Sequence, residues 1–226
     1  MKRLITLLSL MIVINCFSQE TENQWMLNIG VSFPTGEFAS EGNDIENNLS
    51  ANIGGGINLQ YNYFINKNIG AFAGIGANYN GIKMDFKKKY ESYEIMNSDI
   101  TTPKYLNFPI SVGVIGKTNS NKQVSLYGNA GVILNFIKIT NYKIDVSDVD
   151  YETILIYKLA NSVGFKVGGG LILNEKYSIA LNYINAGNAR IKYEWDTSNW
   201  SGSTPFPDGT MESNIGYLTL GLGYLF

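Results

Sequence analysis

Residues 217–226 read YLTLGLGYLF, and their alternation decides the fold. Leu218, Leu220, Leu222, Tyr224 and Phe226 alternate with Tyr217, Thr219, Gly221, Gly223 and Leu225. A period of two belongs to an extended strand, so the first set shares one face. In a soluble sandwich that face meets a second sheet. Here its aromatic members stand at the strand's end, which suits the headgroup level of a bilayer.

The pattern recurs upstream. Trp25, Leu27, Ile29, Val31 and Phe33 oppose Asn28, Gly30 and Ser32, and Pro34 to Gly36 stop that strand. Ile53, Ile57, Leu59, Tyr61 and Tyr63 oppose Asn52, Gly54, Gly56, Asn58, Gln60 and Asn62, a polar row that points to a polar interior. Ile69, Ala71, Ala73, Ile75, Ala77 and Tyr79 oppose Gly70, Phe72, Gly74, Gly76 and Asn78. A fourth strand turns Leu106, Phe108, Ile110, Val112 and Val114 outward. Its Pro109 lacks a donor and is expected in a bulge or an unpaired extension. In a fifth, Val124, Leu126, Ala130, Val132, Leu134 and Phe136 oppose Ser125, Tyr127, Asn129, Gly131 and Asn135. The sixth sets Val163, Phe165, Val167, Gly169, Leu171 and Leu173 against Gly164, Lys166, Gly168 and Gly170, and the seventh runs through Tyr177, Ile179, Leu181 and Tyr183.

Eight strands result, with short turns at 65–68, 117–122 and 174–176 and long connections at 34–50, 81–104, 137–159 and 184–213. That alternation of short and long is the periplasmic-turn and extracellular-loop asymmetry of an outer-membrane barrel. Ten residues at about 3.4 Å each, tilted by about 40°, rise roughly 26 Å, close to its apolar belt. The reading is therefore all-β: a transmembrane antiparallel up-and-down β-barrel of eight strands. Loops two and four are long enough to hide a further hairpin. Ile82, Met84 and Phe86, and likewise Ile191, Tyr193 and Trp195, continue the alternation, so strands are expected to pass beyond the membrane as paired ribbons.

The beginning of the chain is a separate object. Lys2 and Arg3 precede an apolar run over residues 4–14, too short for a spanning helix, and small residues precede Gln19. Residues 1–18 read as a signal peptide and 19–226 as the barrel domain. Lipidation at Cys16 is the alternative, but Asn15 stands where the lipoprotein pattern has a small residue. Cleavage before Gln19 leaves no cysteine, and the chain has no histidine, so thiol chemistry and the commonest general base and metal ligand are absent. The formal charge of −2 offers no footprint for nucleic acid.

The chain resembles the small outer-membrane β-barrel family of opacity-type surface proteins, similar to the OmpA and OmpX barrels. The resemblance rests on residues 163–190 (VGFKVGGGLILNEKYSIALNYINAGNAR) and on the terminal LTLGLGYLF, which looks like the signal read by the barrel-assembly machinery. Residues 17–20, FSQE, resemble the end of Bacteroidota signal peptides, while Leu225 departs from the arginine many relatives carry there. The resemblance implies location in the outer membrane, with its lipids and lipopolysaccharide around the barrel and the assembly machinery as a partner in biogenesis.

Candidate sites are few, and no catalytic, cofactor-binding or metal residue is assigned. Lys166 is expected to be a buried cation paired with a carboxylate rather than one tuning a conduit. Asn58, Gln60 and Asn129 read as hydrogen-bonding filler. Gly54–Gly56 and Gly168–Gly170 lack the Lys and Ser or Thr of a phosphate loop and serve curvature. Asp145, Asp148, Asp150 and Glu152 resemble solvated loop carboxylates more than a calcium site. The expectation is a non-enzymatic, porin-like surface protein that acts in structure, adhesion or interaction with a surface protein or host ligand. Tyr90, Tyr93, Tyr142, Tyr151, Tyr157, Trp195, Trp200 and Phe206 in its loops are either the contact groups or the self-packing of the ribbon tips, two readings of equal weight. A narrow passive pore for ions or small solutes is the alternative.

The terminal strand yields a prediction about assembly. Deleting residues 218–226 is expected to abolish assisted insertion, and Phe226→Asp to slow it more than Phe226→Leu. Spontaneous folding into liposomes should separate loss of the assembly signal from loss of closure. Surface-exposed protein after the deletion would contradict a closing role for this strand.

Overall fold

Wherever the sequence alternates, the backbone is extended. The computed structural model describes residues 23–40, 49–83, 98–118, 123–146, 151–196 and 207–226; the expected signal segment lies outside them. The described residues form β1 (Asn23–Pro34), β2 (Ala51–Phe64), β3 (Ile69–Ile82), β4 (Ser98–Thr101), β5 (Lys104–Lys117), β6 (Val124–Ile139), β7 (Tyr142–Val146), β8 (Tyr151–Tyr157), β9 (Ala160–Leu173), β10 (Tyr177–Asp196) and β11 (Gly209–Leu225), with a 3-10 turn at Gly36–Phe38.

Among the described residues eleven strands form, three more than the expected eight. All pairings are antiparallel in the order β11-β1-β2-β3-β5-β6-β9-β10, and β10 pairs back onto β11, so these strands close a ring. The other three continue outward from β10 as β8-β7-β4. Loops two and four are long enough to hide a further hairpin; among the described residues the added hairpin is β7–β8, in loop three. Loop two contributes β4, paired with β7. Loop four carries the expected ribbon, since β10 and β11 remain paired from Tyr177↔Tyr224 to Tyr193↔Gly209. The continuation through Met84 and Phe86 lies outside the described residues.

The face assignments follow the period of two. Val163, Leu222, Val114 and Ile29 are 61–72% exposed, although they are among the most apolar side chains of the ring. Aromatic groups bound this row at both ends. Toward the short turns Trp25 meets Tyr61 at 4.9 Å, and Tyr224 meets Tyr177 at 5.8 Å and Phe226 at 6.2 Å. Toward the long loops Phe165 lies 6.0 Å from Tyr183, and Lys104 sits 5.7 Å over the Tyr79 ring. The eight residue steps from Trp25 to Phe33 rise about 21 Å at the usual tilt, a belt of hydrocarbon thickness.

Two local features set the register. Asn174 and Glu175 both have positive φ, 50° and 60°, and the Lys176 amide donates to the Leu173 carbonyl at 3.1 Å: a primed turn inside the three-residue connection between the paired residues Leu173 and Tyr177. In β10 the register to β11 shifts between Asn185 and Gly187. Gly187 has φ +79°, and its amide donates to Asn185 Oδ1 at 2.9 Å. The extra residue reverses the alternation, so Ala180 and Ile184 face inward below the bulge and Ala189, Ile191 and Tyr193 above it.

Pro109 departs from both expected placements. It pairs with Asn135 on β6, and the ladder to β3 omits Gly76 and Ala77 but resumes in the same register at Asn78↔Asn107. With no N–H to donate, the proline interrupts a ladder without shifting it, and its ring is buried in the interior.

The bulge gives a test of this geometry. A side chain at position 187 meets the Val163 carbonyl oxygen at 2.2 Å in a left-handed backbone, whereas one at Gly116 finds nothing nearer than 3.7 Å. Gly187→Val should destabilise by about 1–3 kcal/mol or more, and Gly116→Ala by far less. Urea unfolding midpoints in lipid check the ranking.

Candidate functional site

The interior is layered rather than uniformly polar as expected. At the short-turn end Met26, Phe64, Phe72, Ile115, Tyr127, Ile172 and Leu225 form an apolar layer. The inward glycines 113 and 131 make room for Phe72: a Cβ at either would lie 2.8–2.9 Å from its ring. At the long-loop end a larger cluster includes Phe38, Leu49, Tyr105, Ile137, Tyr157, Ile191, Met211 and Tyr217. Tyr105 donates to the Leu49 carbonyl at 2.8 Å and packs edge-on against Phe38, which ties the first loop into this layer.

Polar residues occupy the space between. Lys166 Nζ donates to Gln60 Oε1 at 3.0 Å and lies 5.3 Å over the Phe72 ring; Gln60 Nε2 donates to Asn62 Oδ1 at 2.7 Å. The partner of Lys166 is thus an amide, not the expected carboxylate, because the inward rows of the ring strands carry no Asp or Glu among the described residues. Asn78 donates to the Tyr217 hydroxyl at 3.2 Å, and Ser178 to Asn28 Oδ1 at 3.0 Å. Gln60 and Asn129 are buried, as a filler role requires, while Asn58 lines a cavity of about 40 Å³ beside Lys166. By the measure that gives one water about 10–15 Å³, it holds only a few small particles. Both glycine runs lie within strands, β2 and β9, as their curvature role requires.

Of the two readings of the loop aromatics, self-packing holds for Tyr142, Tyr157 and Trp195. Tyr142 and Tyr157 are fully buried in the outer apolar cluster, and Trp195 packs against it. Tyr157 also faces Tyr193 edge-on at 6.4 Å. These side chains serve self-packing, which in sequence looks the same as partner binding. Tyr151 pairs through its backbone with Val146; Tyr90, Tyr93, Trp200 and Phe206 lie outside the described residues. Among the acidic positions Asp145 stands opposite Glu152, and Asp148 and Asp150 lie outside. No group of three or more His, Cys, Asp or Glu converges among the described residues.

A site the sequence did not signal lies where β10 parts from β9. Their ladder ends at Asn185↔Phe165, and eight residues further along each strand Tyr193 pairs with Tyr157 of β8 in the same register. Between them the wall carries a groove of about 610 Å³, lined by Leu159, Asn161, Asn188, Arg190, Lys192 and Glu212 among others. Leu159 is 64% exposed. Lys158 pairs with Glu194 at 2.7 Å and Arg190 with Glu212 at 2.8 Å; both pairs are solvated and contribute under about 1 kcal/mol. Nothing local in the sequence marks a ladder opening; the only cue is the glycine at 187.

Burial separates the two readings of the loop tyrosines. Tyr157→Ala is expected to lower stability by about 3–5 kcal/mol, as deletion of a large buried ring does. A solvent-facing contact residue would leave the urea midpoint nearly unchanged.

No protein-family profile and no curated protein matches the sequence. Solved structures similar to the chain include Ail, the attachment invasion locus protein of Yersinia pestis, in complex with the heparin analogue sucrose octasulfate (17% identity over 91% of this chain and 99% of that one, TM-score 0.42). Neisserial surface protein A is 9% identical over 92% and 98%, with TM-score 0.47. The outer membrane protein OprG of Pseudomonas aeruginosa is 10% identical over 92% and 97%, with TM-score 0.49.

Proposed function

We propose that the chain is an integral protein of the bacterial outer membrane: an eight-stranded barrel embedded in its lipids and lipopolysaccharide, non-enzymatic, and active through the part that stands outside the membrane. The observation that carries this reading is the division of the closed ring into an apolar outer belt with aromatic rims and a paired extension beyond it. Only lipid suits that belt. A ring without edges is the β-structure that hydrocarbon tolerates, because every backbone group on it finds a partner.

The extension is a rigid interaction platform. Its ribbons are held by the buried cluster around Tyr105, Tyr157 and Tyr217, and its outer surface presents the groove between β9 and β10, with Leu159, Lys192 and two ion pairs. A partner surface protein or host ligand docks there. The absence of histidine from the sequence supports the non-enzymatic reading. The two apolar layers and the small cavity between them weigh against a passive pore, since the interior of an eight-stranded barrel is only wide enough for side chains. The terminal strand, with its aromatic end, remains the segment offered to the barrel-assembly machinery.

Trimming loop three would remove Tyr142, Leu155 and Tyr157 from the core, so the test uses surface substitutions. Surface crosslinking and capture from intact cells should recover a partner with the native protein and lose it with Leu159→Ser combined with Lys192→Glu. Planar-bilayer recordings of the same preparations should show no steady conductance. Equal, empty captures together with a stable ion current would overturn the interaction reading in favour of the pore.

A further inference from the structure

Lys166 poses an electrostatic problem that no carboxylate among the described residues solves. The side chain is 6% exposed and reaches the interior between two apolar layers. Gln60 takes one of its three N–H bonds, and the Phe72 ring faces the ammonium at 5.3 Å, but neither carries a negative charge. No Asp or Glu occupies an inward position on the ring strands among the described residues, and the ion pairs Lys158–Glu194 and Arg190–Glu212 both lie on the outside. A buried charge without a counter-charge is strongly unfavourable.

The surroundings of the ammonium are those of an anion site. The cavity it lines is bordered by the side chains of Asn28, Asn58, Asn78, Asn182 and Thr219. Amides and a hydroxyl present N–H and O–H donors as readily as acceptors, and none brings a competing negative charge. Its volume of about 40 Å³ excludes a carboxylate-bearing metabolite or a nucleotide and is of the size of a halide with a water or two. We infer that this cavity binds a small monovalent inorganic anion, chloride or a similar halide, as the counter-ion of Lys166. The apolar layers at both ends make the site an internal one, filled as the ring closes, so its occupancy is coupled to folding.

An anion bound by the folded state alone raises stability as its concentration rises, tenfold in the folding constant per tenfold in anion once the site is well occupied. The test measures urea unfolding of the full barrel in lipid at constant ionic strength, with sodium chloride replacing sodium gluconate. The native protein and Lys176→Gln, which alters an exposed cation in a short turn, should both gain folding constant in proportion to chloride. Lys166→Met should lose that dependence while folding in either salt. Equal chloride dependence in Lys166→Met and native protein, or none in the native protein, would overturn the site. Should Lys166→Met fail to fold, crystals of the native protein grown in sodium bromide decide the matter: an anomalous peak within hydrogen-bond distance of Lys166 Nζ supports the assignment, and its absence there refutes it.

Discussion

The structure depends on backbone closure. A strand in hydrocarbon must pair on both sides, since each unsatisfied backbone group costs several kcal/mol there. β11 meets this demand last and on two fronts, with Leu225 and Tyr224 opposite Met26 and Leu27 of β1 and Tyr224 opposite Tyr177 of β10. Even the terminal residue is joined: Phe226 exchanges backbone hydrogen bonds with Trp25 at 2.9 and 3.0 Å, and the Leu225 amide donates to the Lys176 carbonyl at 2.7 Å. The outward row of the same strand sets Leu222 and Phe226 toward lipid, so one segment supplies both closure and part of the belt.

Closure then constrains the interior. Eight strands enclose a space that side chains fill, and the inward rows must suit that space rather than the solvent of either face. Large inward groups are accommodated by glycines opposite them, as Phe72 is by Gly113 and Gly131. Amides near the middle bond one another across strands, as Asn135 donates to Asn107 Oδ1 at 3.1 Å. Apolar layers at the two ends separate this polar band from water. An interior built this way rewards complementarity of size and hydrogen bonding and leaves little route for solutes.

The sequence carried the ring strands and the facing of their side chains because both follow from a local period of two. Ile29 against Gly30, Ile75 against Gly74 and Val167 against Lys166 are neighbours that report their own environment. Tertiary partners were beyond that signal. The partner of Lys166 is Gln60, 106 residues away, and no spacing distinguishes an amide from a carboxylate across the interior. Tyr142 and Tyr157 were legible as loop aromatics but not as core, since an exposed contact group and a plug residue have the same composition. Pro109 was expected to disturb the register because a missing donor breaks a ladder, yet two adjacent small residues on β3, Gly76 and Ala77, let the ladder lapse and resume.

The opening between β9 and β10 fixes where the hydrocarbon must stop. Residues 159–164 and 186–191 face each other without ladder pairs, and the Lys158 amide to Lys192 carbonyl bond at 2.8 Å closes the opening from above. Backbone groups left open in this way are tolerated in water or among headgroups, not among acyl chains. The Phe165–Tyr183 aromatic contact marks the rim on this side, with Val163 the last outward apolar residue of β9 just beyond it. Gly187 sits two residues beyond Asn185, the last position of β10 paired with β9, so the bulge falls at the transition itself. Below it the strand obeys the lipid, with Ile179 and Leu181 outward; above it the outward positions are Asn188, Arg190, Lys192 and Glu194. The single inserted residue lets one continuous strand of 20 residues serve both environments, keeping Ile191 and Tyr193 on the buried side while the ladder to β11 continues unbroken to Gly209.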